Sequence, residues 1–291
     1  MQTALISPAA VLRPLVVTLV LLIVAIPLAG LLGGLAFVGL VAWTILIAAV
    51  AVGVLLIVRA GRPLAGVGAI LMAVSTWIAF YVIPPTWVWT ALFFVGTGLV
   101  VRGTAEDTPL RSSWPLLLPR VAVGWALVDN AQDHFINNWL PSVQGTGFFQ
   151  TATGAANRPP RDFLDAAYQG FLKGVVVPNP DQWAALTICG ELCFGLLLAA
   201  GFLTPIGALG AAWLNGNYML MKGFTSHSGY TDKTFFSLEL FCLIVMAGLA
   251  YGLDASLRRH VPSAVAQWLM GTSGEEREAP AVAPRRQPQV A

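Results

Sequence analysis

Long uncharged stretches organise this chain. No charged residue occurs between positions 14 and 58. A helix rises ~1.5 Å per residue, and roughly 20 apolar residues cross a ~30 Å hydrocarbon core. That run is therefore too long for one crossing and must fold back. The glycine-rich residues 30–34, just after Pro27, predict the turn. Spans are expected over about 13–32, 35–58, 63–83, 86–102, 115–136, 182–203, 206–223 and 233–254. A polar linker covers 103–113, and a long polar segment at 137–181 is expected to hold one short helix near 162–176. The stretch after Pro262, rich in Ala, Pro, Glu and Arg, reads as disordered.

Composition supports the same picture. The chain has 291 residues, of which 57% are hydrophobic and 10% charged, with mean hydropathy +0.74. Soluble domains carry about 25% charged residues. An ordinary soluble enzyme and a disordered chain are both excluded. A net charge of +2 without a basic block excludes a nucleic-acid binder. Three cysteines do not make a disulfide framework. The fold class is an all-α polytopic membrane protein of about eight transmembrane helices. Arg13 before an apolar run resembles a cleavable leader, but the run passes straight into a second span, so the first span is read as retained. With eight spans, eleven of the sixteen Lys and Arg residues fall on the side of the termini. Both termini are therefore expected in the cytoplasm, in a cell membrane, with the 137–181 and 224–232 loops outside.

The two halves differ chemically. Spans 1–4 hold no ionisable residue between their ends, whereas spans 5–8 carry Asp129, Asn130, Gln132, Asp133, His134, Glu191, Asn215, Asn217 and Glu239. Charged groups in a bilayer are costly and mark functional sites. Counted at ~1.5 Å per residue, Asp129, Glu191, Asn215 and Glu239 lie about 8–13 Å from the outer end of their spans. That common level predicts a polar pocket opening outward rather than a path across the membrane. Helical phase places Trp125, Asp129, Gln132 and Asp133 on one face of span 5. It places Asn215, Tyr218 and Lys222 on one face of span 7. On span 6, Thr187, Glu191 and Gly195 oppose Cys189 and Cys193.

Several segments resemble the DoxX/DoxD family. They are Arg120-Val-Ala-Val-Gly124-Trp125, Cys189-Gly190-Glu191-Leu192, Gly201-Phe-Leu-Thr204, Asn215-Gly-Asn217-Tyr218, Lys222-Gly223 and Gly252-Leu253-Asp254. The lead-in at 171–179 resembles that of the DoxD-like branch. The resemblance covers about 119–256. It implies a four-helix membrane bundle, and in the DoxD-like branch a subunit of thiosulfate:quinone oxidoreductase, with a separate DoxA-like soluble partner subunit. His134 and Pro205 stand where family members often carry Lys and Arg. Domains are accordingly expected at 1–103 (four apolar spans), 104–114 (cytoplasmic linker), 115–257 (the bundle with its outer loop) and 258–291 (a mostly disordered cytoplasmic tail).

The expected function is an integral-membrane oxidoreductase subunit that binds quinone in an outer-leaflet pocket and oxidises thiosulfate or a related sulfur compound. Glu191, Asp129 and Asp133 are read as the proton-handling, catalytic groups. Trp125, Gln132, Asn215, Tyr218, Lys222 and Glu239 are read as lining the quinone or substrate site. Glu239 alternatively pairs with Lys222, Lys222 alternatively snorkels to the headgroups, and Asn217 is interhelical glue. Arg158, Arg161 and Lys173 either hold a sulfur oxyanion or face water. Spacing around His134 and His227 supports no metal or haem site. Cys189 and Cys193 sit about 6 Å apart at Cα, awkward for a disulfide, and read as packing, as does Cys242. Gly66-x-Gly68 and Gly96-x-Gly98 read as helix-packing pairs, not nucleotide loops. Trp87, Trp89, Trp114, Trp139 and Trp183 form an interfacial belt, with Trp139 a candidate cover for a quinone ring. The expected partners are membrane lipid, quinone and a soluble subunit, with no metal or nucleotide cofactor. A non-catalytic scaffold subunit is the second reading. A transporter is disfavoured because no inverted repeat is visible.

Overall fold

The computed structural model describes residues 8–81, 86–108, 114–136, 147–224 and 230–270. It is an all-α polytopic membrane protein. Eight long helices run alternately up and down: α1 (Pro8–Leu32), α2 (Gly34–Val58), α3 (Pro63–Tyr81), α4 (Thr86–Thr104), α5 (Leu117–Ile136), α8 (Pro180–Ala200), α9 (Thr204–Lys222) and α10 (Tyr230–Ile244). Between α5 and α8 lie α6 (Gly147–Asn157) and α7 (Phe163–Phe171), the latter continued by a π-helical turn, Leu172–Val176. Two short helices, α11 (Leu253–Leu257) and α12 (Ser263–Leu269), close the described chain. The helices α1, α2, α3, α4 and α8 are long and apolar enough to cross a membrane by length and composition alone. The polar residues of α5 and α9 lower their hydropathy.

The first hairpin turns where glycine permits it. Gly33 adopts φ +78°, a left-handed conformation that costs a residue without a Cβ little. Only 11% of the apolar window of α1 and 17% of that of α2 is buried, so both helices turn most of their hydrocarbon surface outward. The hairpin is nonetheless pinned to the rest at both ends. Asp181 accepts from the Gly34 N–H at 2.8 Å, and Gln182 donates to the Ile26 carbonyl. At the opposite end Arg13 donates to Gln267 at 2.8 Å and lies over the Trp268 ring.

Glycine contacts bring the inner helices together, as small residues do in membranes. A Cβ at Gly68 would fall 2.6 Å from the Gly96 carbonyl oxygen, between α3 and α4. One at Gly195 would fall 2.7 Å from the Gly124 carbonyl oxygen, between α8 and α5. The Gly66-x-Gly68 reading as a packing pair therefore holds, with Gly66 against Gly53 of α2.

Three expectations are corrected. The eighth span does not continue to 254. Its helix has 15 residues, about 22 Å long, and ends at Ile244 because Met246 and Tyr251 take left-handed φ values of 47° and 55° around a 3₁₀ turn. Among its described residues, the polar 137–181 segment holds two helices rather than one. The stretch after Pro262 is partly ordered, since α12 packs on α1; residues 271–291 lie outside the described residues.

The broken end of α10 builds a polar knot. Arg120 is fully buried and donates to the carbonyls of Ala250 and Tyr251 at 3.4 and 3.2 Å. Asp254 accepts from the N–H groups of Leu203 and Thr204 at 2.8 and 3.0 Å, capping the start of α9. Gly201, with φ +62°, leaves no room for a Cβ beside the Arg120 guanidinium. The knot ties together the beginnings of α5 and α9 and the end of α10.

Asp254→Ala leaves two helix-start N–H groups without their acceptor and should cost about 1–3 kcal/mol. The detergent-solubilised protein should melt several degrees lower, and Asp254→Asn, which keeps an acceptor oxygen, should recover part of the loss. Equal melting of Asp254→Ala and wild type would show that the knot is dispensable.

Candidate functional site

The opposite end of the same bundle gathers a cluster of titratable side chains. Glu191 lies on the fourth turn of α8 with no exposed surface. Backbone groups in a helix satisfy one another, so its carboxyl needs side-chain donors from other helices. Two supply them. His134 Nδ1 of α5 lies 2.8 Å from Oε2, and the Tyr218 hydroxyl of α9 donates to Oε1 at 2.7 Å. The His134 and Tyr218 rings are 6.4 Å apart. Three helices thus meet at one carboxyl. The close approach of Gly124 and Gly195 draws α5 and α8 together below it.

Each link of the cluster is a hydrogen bond between titratable groups, so a proton can move between imidazole, carboxyl and phenol without an ion leaving the site.

Above it lies a rim of ion pairs. Lys222 donates to both Asp232 carboxylate oxygens, at 2.8 and 3.1 Å, and its ammonium sits 5.8 Å from the centre of the Tyr218 ring. Arg158 makes a two-pronged ion pair with Asp165 and donates to the Leu220 and Met221 carbonyls at 3.4 Å, seating α7 on the end of α9. The Arg158 guanidinium holds the Asp165 carboxyl below the usual carboxylate range. Arg161 and Lys173 are exposed.

A small cavity of about 40 Å³ adjoins the cluster. Tyr168, Phe171 and Trp183 wall it, and Thr187, Asn217 and Tyr218 supply its polar groups. Tyr168 donates to Asn217 at 3.1 Å. The π-helical turn, a form that recurs at functional sites, contributes Leu172 and Val176. This volume suits one or a few waters, not an aromatic ring.

The structure sorts the expected site residues. Glu191 and Tyr218 come together, with Lys222 at the rim. Asn215 and Glu239 form a separate buried pair between α9 and α10, 2.5 Å from Nδ2 to Oε1, so Glu239 pairs with Asn215 and not with Lys222. Asp129 and Asp133 are exposed and do not line an interior pocket with Gln132. Successive positions on a helix turn by about 100°, and only Gln132 of the three faces inward. Gln132 reaches the Ala79 carbonyl of α3 at 3.5 Å, and Trp125 packs on Phe94 of α4. Cys189 and Cys193 face away from Glu191, towards α1 and α2, as helical phase requires. Among the described residues no group of three His, Cys, Asp or Glu side chains could hold a metal. Trp139 and His227 lie outside the described residues.

Sequence reasoning left out His134, Asp232, Tyr168 and Trp213 as site residues. His134 carried a signal: it follows Leu127 by seven residues and Ala131 by three, on the buried stripe that meets α8.

A double-mutant cycle with His134→Ala and Glu191→Gln should give a coupling of about 0.5–2 kcal/mol in unfolding free energy. Strict additivity would mean that the two side chains do not interact.

Residues 116–228 match the DoxX family model. No curated protein and no solved structure matches the chain. The matched segment spans α5 to α9 and contains His134, Glu191 and Tyr218, whereas α1–α4 and the Glu239 and Asp254 positions lie outside it. Within this multi-pass membrane protein, residues 116–228 are thus the part that is similar to the DoxX family.

Proposed function

We propose that the chain is the membrane subunit of an oxidoreductase that reduces quinone at the Glu191–His134–Tyr218 cluster, with thiosulfate or a related sulfur anion as electron donor. One observation carries this reading: a fully buried carboxyl held by an imidazole and a phenol from two other helices. Quinone reduction takes up two electrons and two protons. The electrons come from joining two thiosulfates through a new S–S bond, so no further oxidant is needed. The DoxX match and the resemblance to the DoxD-like branch support the assignment, as does exposed Arg161, beside Gly223 at the end of α9, as an approach for an anion.

The donor set fits a quinone; the small cavity does not enclose one. Its water-sized volume and its Thr187, Asn217 and Tyr218 groups suit a bound water that links the cluster to a ring outside it. Tyr218 would pass a proton outward along that path, and Glu191 and His134 would restore it. Asp129 and Asp133, on the exposed face of α5, would take protons from solvent rather than touch the ring. In this proposal the cluster lies in the outer leaflet and the termini in the cytoplasm.

The broad outward apolar surface of α1 and α2 favours one second reading, an accessory subunit that seats a larger complex.

Purified protein should reduce a quinone analogue in the presence of thiosulfate. Glu191→Gln should lower turnover about 10²–10⁴-fold, the usual range for a lost acid–base group, in a protein that still folds. An inactive but folded wild-type protein would instead support the accessory reading.

A further inference from the structure

A second, much larger cavity lies on the other side of α8. It occupies about 390 Å³ between α8 and the α1–α2 hairpin, within the range of small-molecule sites. It follows α8 from Leu186 to Ala200, a length of about 21 Å at ~1.5 Å per residue. Small residues leave it open, with Ala25, Ala49, Ala69 and Ala73 on three facing helices. The hairpin cannot simply settle inward, because Asp181 and Gln182 hold it at one end and Arg13 holds it at the other. Its lining contains no Lys, Arg, Asp or Glu. Trp213 lines both this cavity and the small one beside Tyr218.

We propose that this crevice binds an isoprenoid quinone, with the ring at Trp213 and the tail along α8. The proposal rests on the reading of the cluster as a quinone-reducing site. Each feature selects against other hydrocarbon ligands. A phospholipid brings an anionic phosphate that no cation in either cavity would meet, and two chains for one slot. A neutral ring on a single chain needs only an apolar channel and one polar end. That end exists at Trp213, where Tyr218, Asn217 and Thr187 stand across the shared wall. The ring lies one indole away from the water-sized cavity that adjoins the cluster. The tail enters sideways from the bilayer, since α1 and α2 face hydrocarbon over most of their surface. The hairpin, outside the segment that matches the DoxX family, thereby gains a role as the tail-binding wall.

The test uses the full chain in nanodiscs and a quinone analogue with a photoreactive diazirine at the end of its tail. Labelling should map to residues 37–52 or 186–200 and should be displaced by unlabelled long-tailed quinone. Ala49→Trp, which fills the crevice, should reduce labelling at least about fivefold, and Ala49→Leu should reduce it less. Labels on α5 or α10, or labels displaced by phosphatidylglycerol but not by quinone, would overturn the proposal. A tail-less quinone separates the two claims. If it is reduced in a Glu191-dependent way while the tail label falls elsewhere, only the crevice assignment fails. If it is not reduced and the crevice is not labelled, the quinone reading fails with it.

Discussion

A carboxyl with no exposed surface in the middle of a membrane bundle dictates much of the surrounding architecture. Glu191 cannot shed the cost of leaving water unless donors reach both of its oxygens. The helix that carries it has spent its backbone groups internally. The donors must therefore come from α5 and α9, and those helices must sit at fixed rotations and close range. Gly124 and Gly195 provide the close range on one side. On the other, the Leu203–Thr204 turn capped by Asp254 sets the start of α9 and hence the height at which Tyr218 arrives.

The bundle thus has two ends with different duties. Arg120, Gly201, Thr204, Gly252 and Asp254 converge at one end and bind helix termini to one another. His134, Glu191, Tyr218 and Lys222 converge at the other, with the small cavity and the ion pairs. Segments that resemble one family when read along the chain separate in space into a structural group and a chemical group. A polar residue shared with a family is not on that account a functional one: Arg120 is as buried as Glu191, yet it holds backbone carbonyls.

Much of this was legible in the sequence. Uncharged stretches and glycine turns located seven of the eight long helices to within about five residues, because hydrophobic length is a one-dimensional property. Glu191 stood out for the same reason, as a lone acid in an apolar span. Axial rotation was harder to read. Asp129 and Asp133 are close enough in phase to Gln132 to seem to share its face, and only the packing of α3 and α8 on α5 shows which side is buried. Asn215 and Lys222 of α9 both face α10, and height along the helices decides the pairing, Asn215 meeting Glu239 and Lys222 meeting Asp232. The end of α10 was hidden because residues 245–254 remain apolar while the backbone turns. The crevice between α8 and the hairpin was invisible, since a void between helices belongs to no segment.

Infrared difference spectroscopy during electrochemical reduction of bound quinone tests the central claim most directly, because it observes the carboxyl itself. The account predicts a carboxyl-stretch change on quinone reduction that vanishes in Glu191→Gln and shifts in His134→Ala. Identical reduction spectra from the wild type and Glu191→Gln would contradict it.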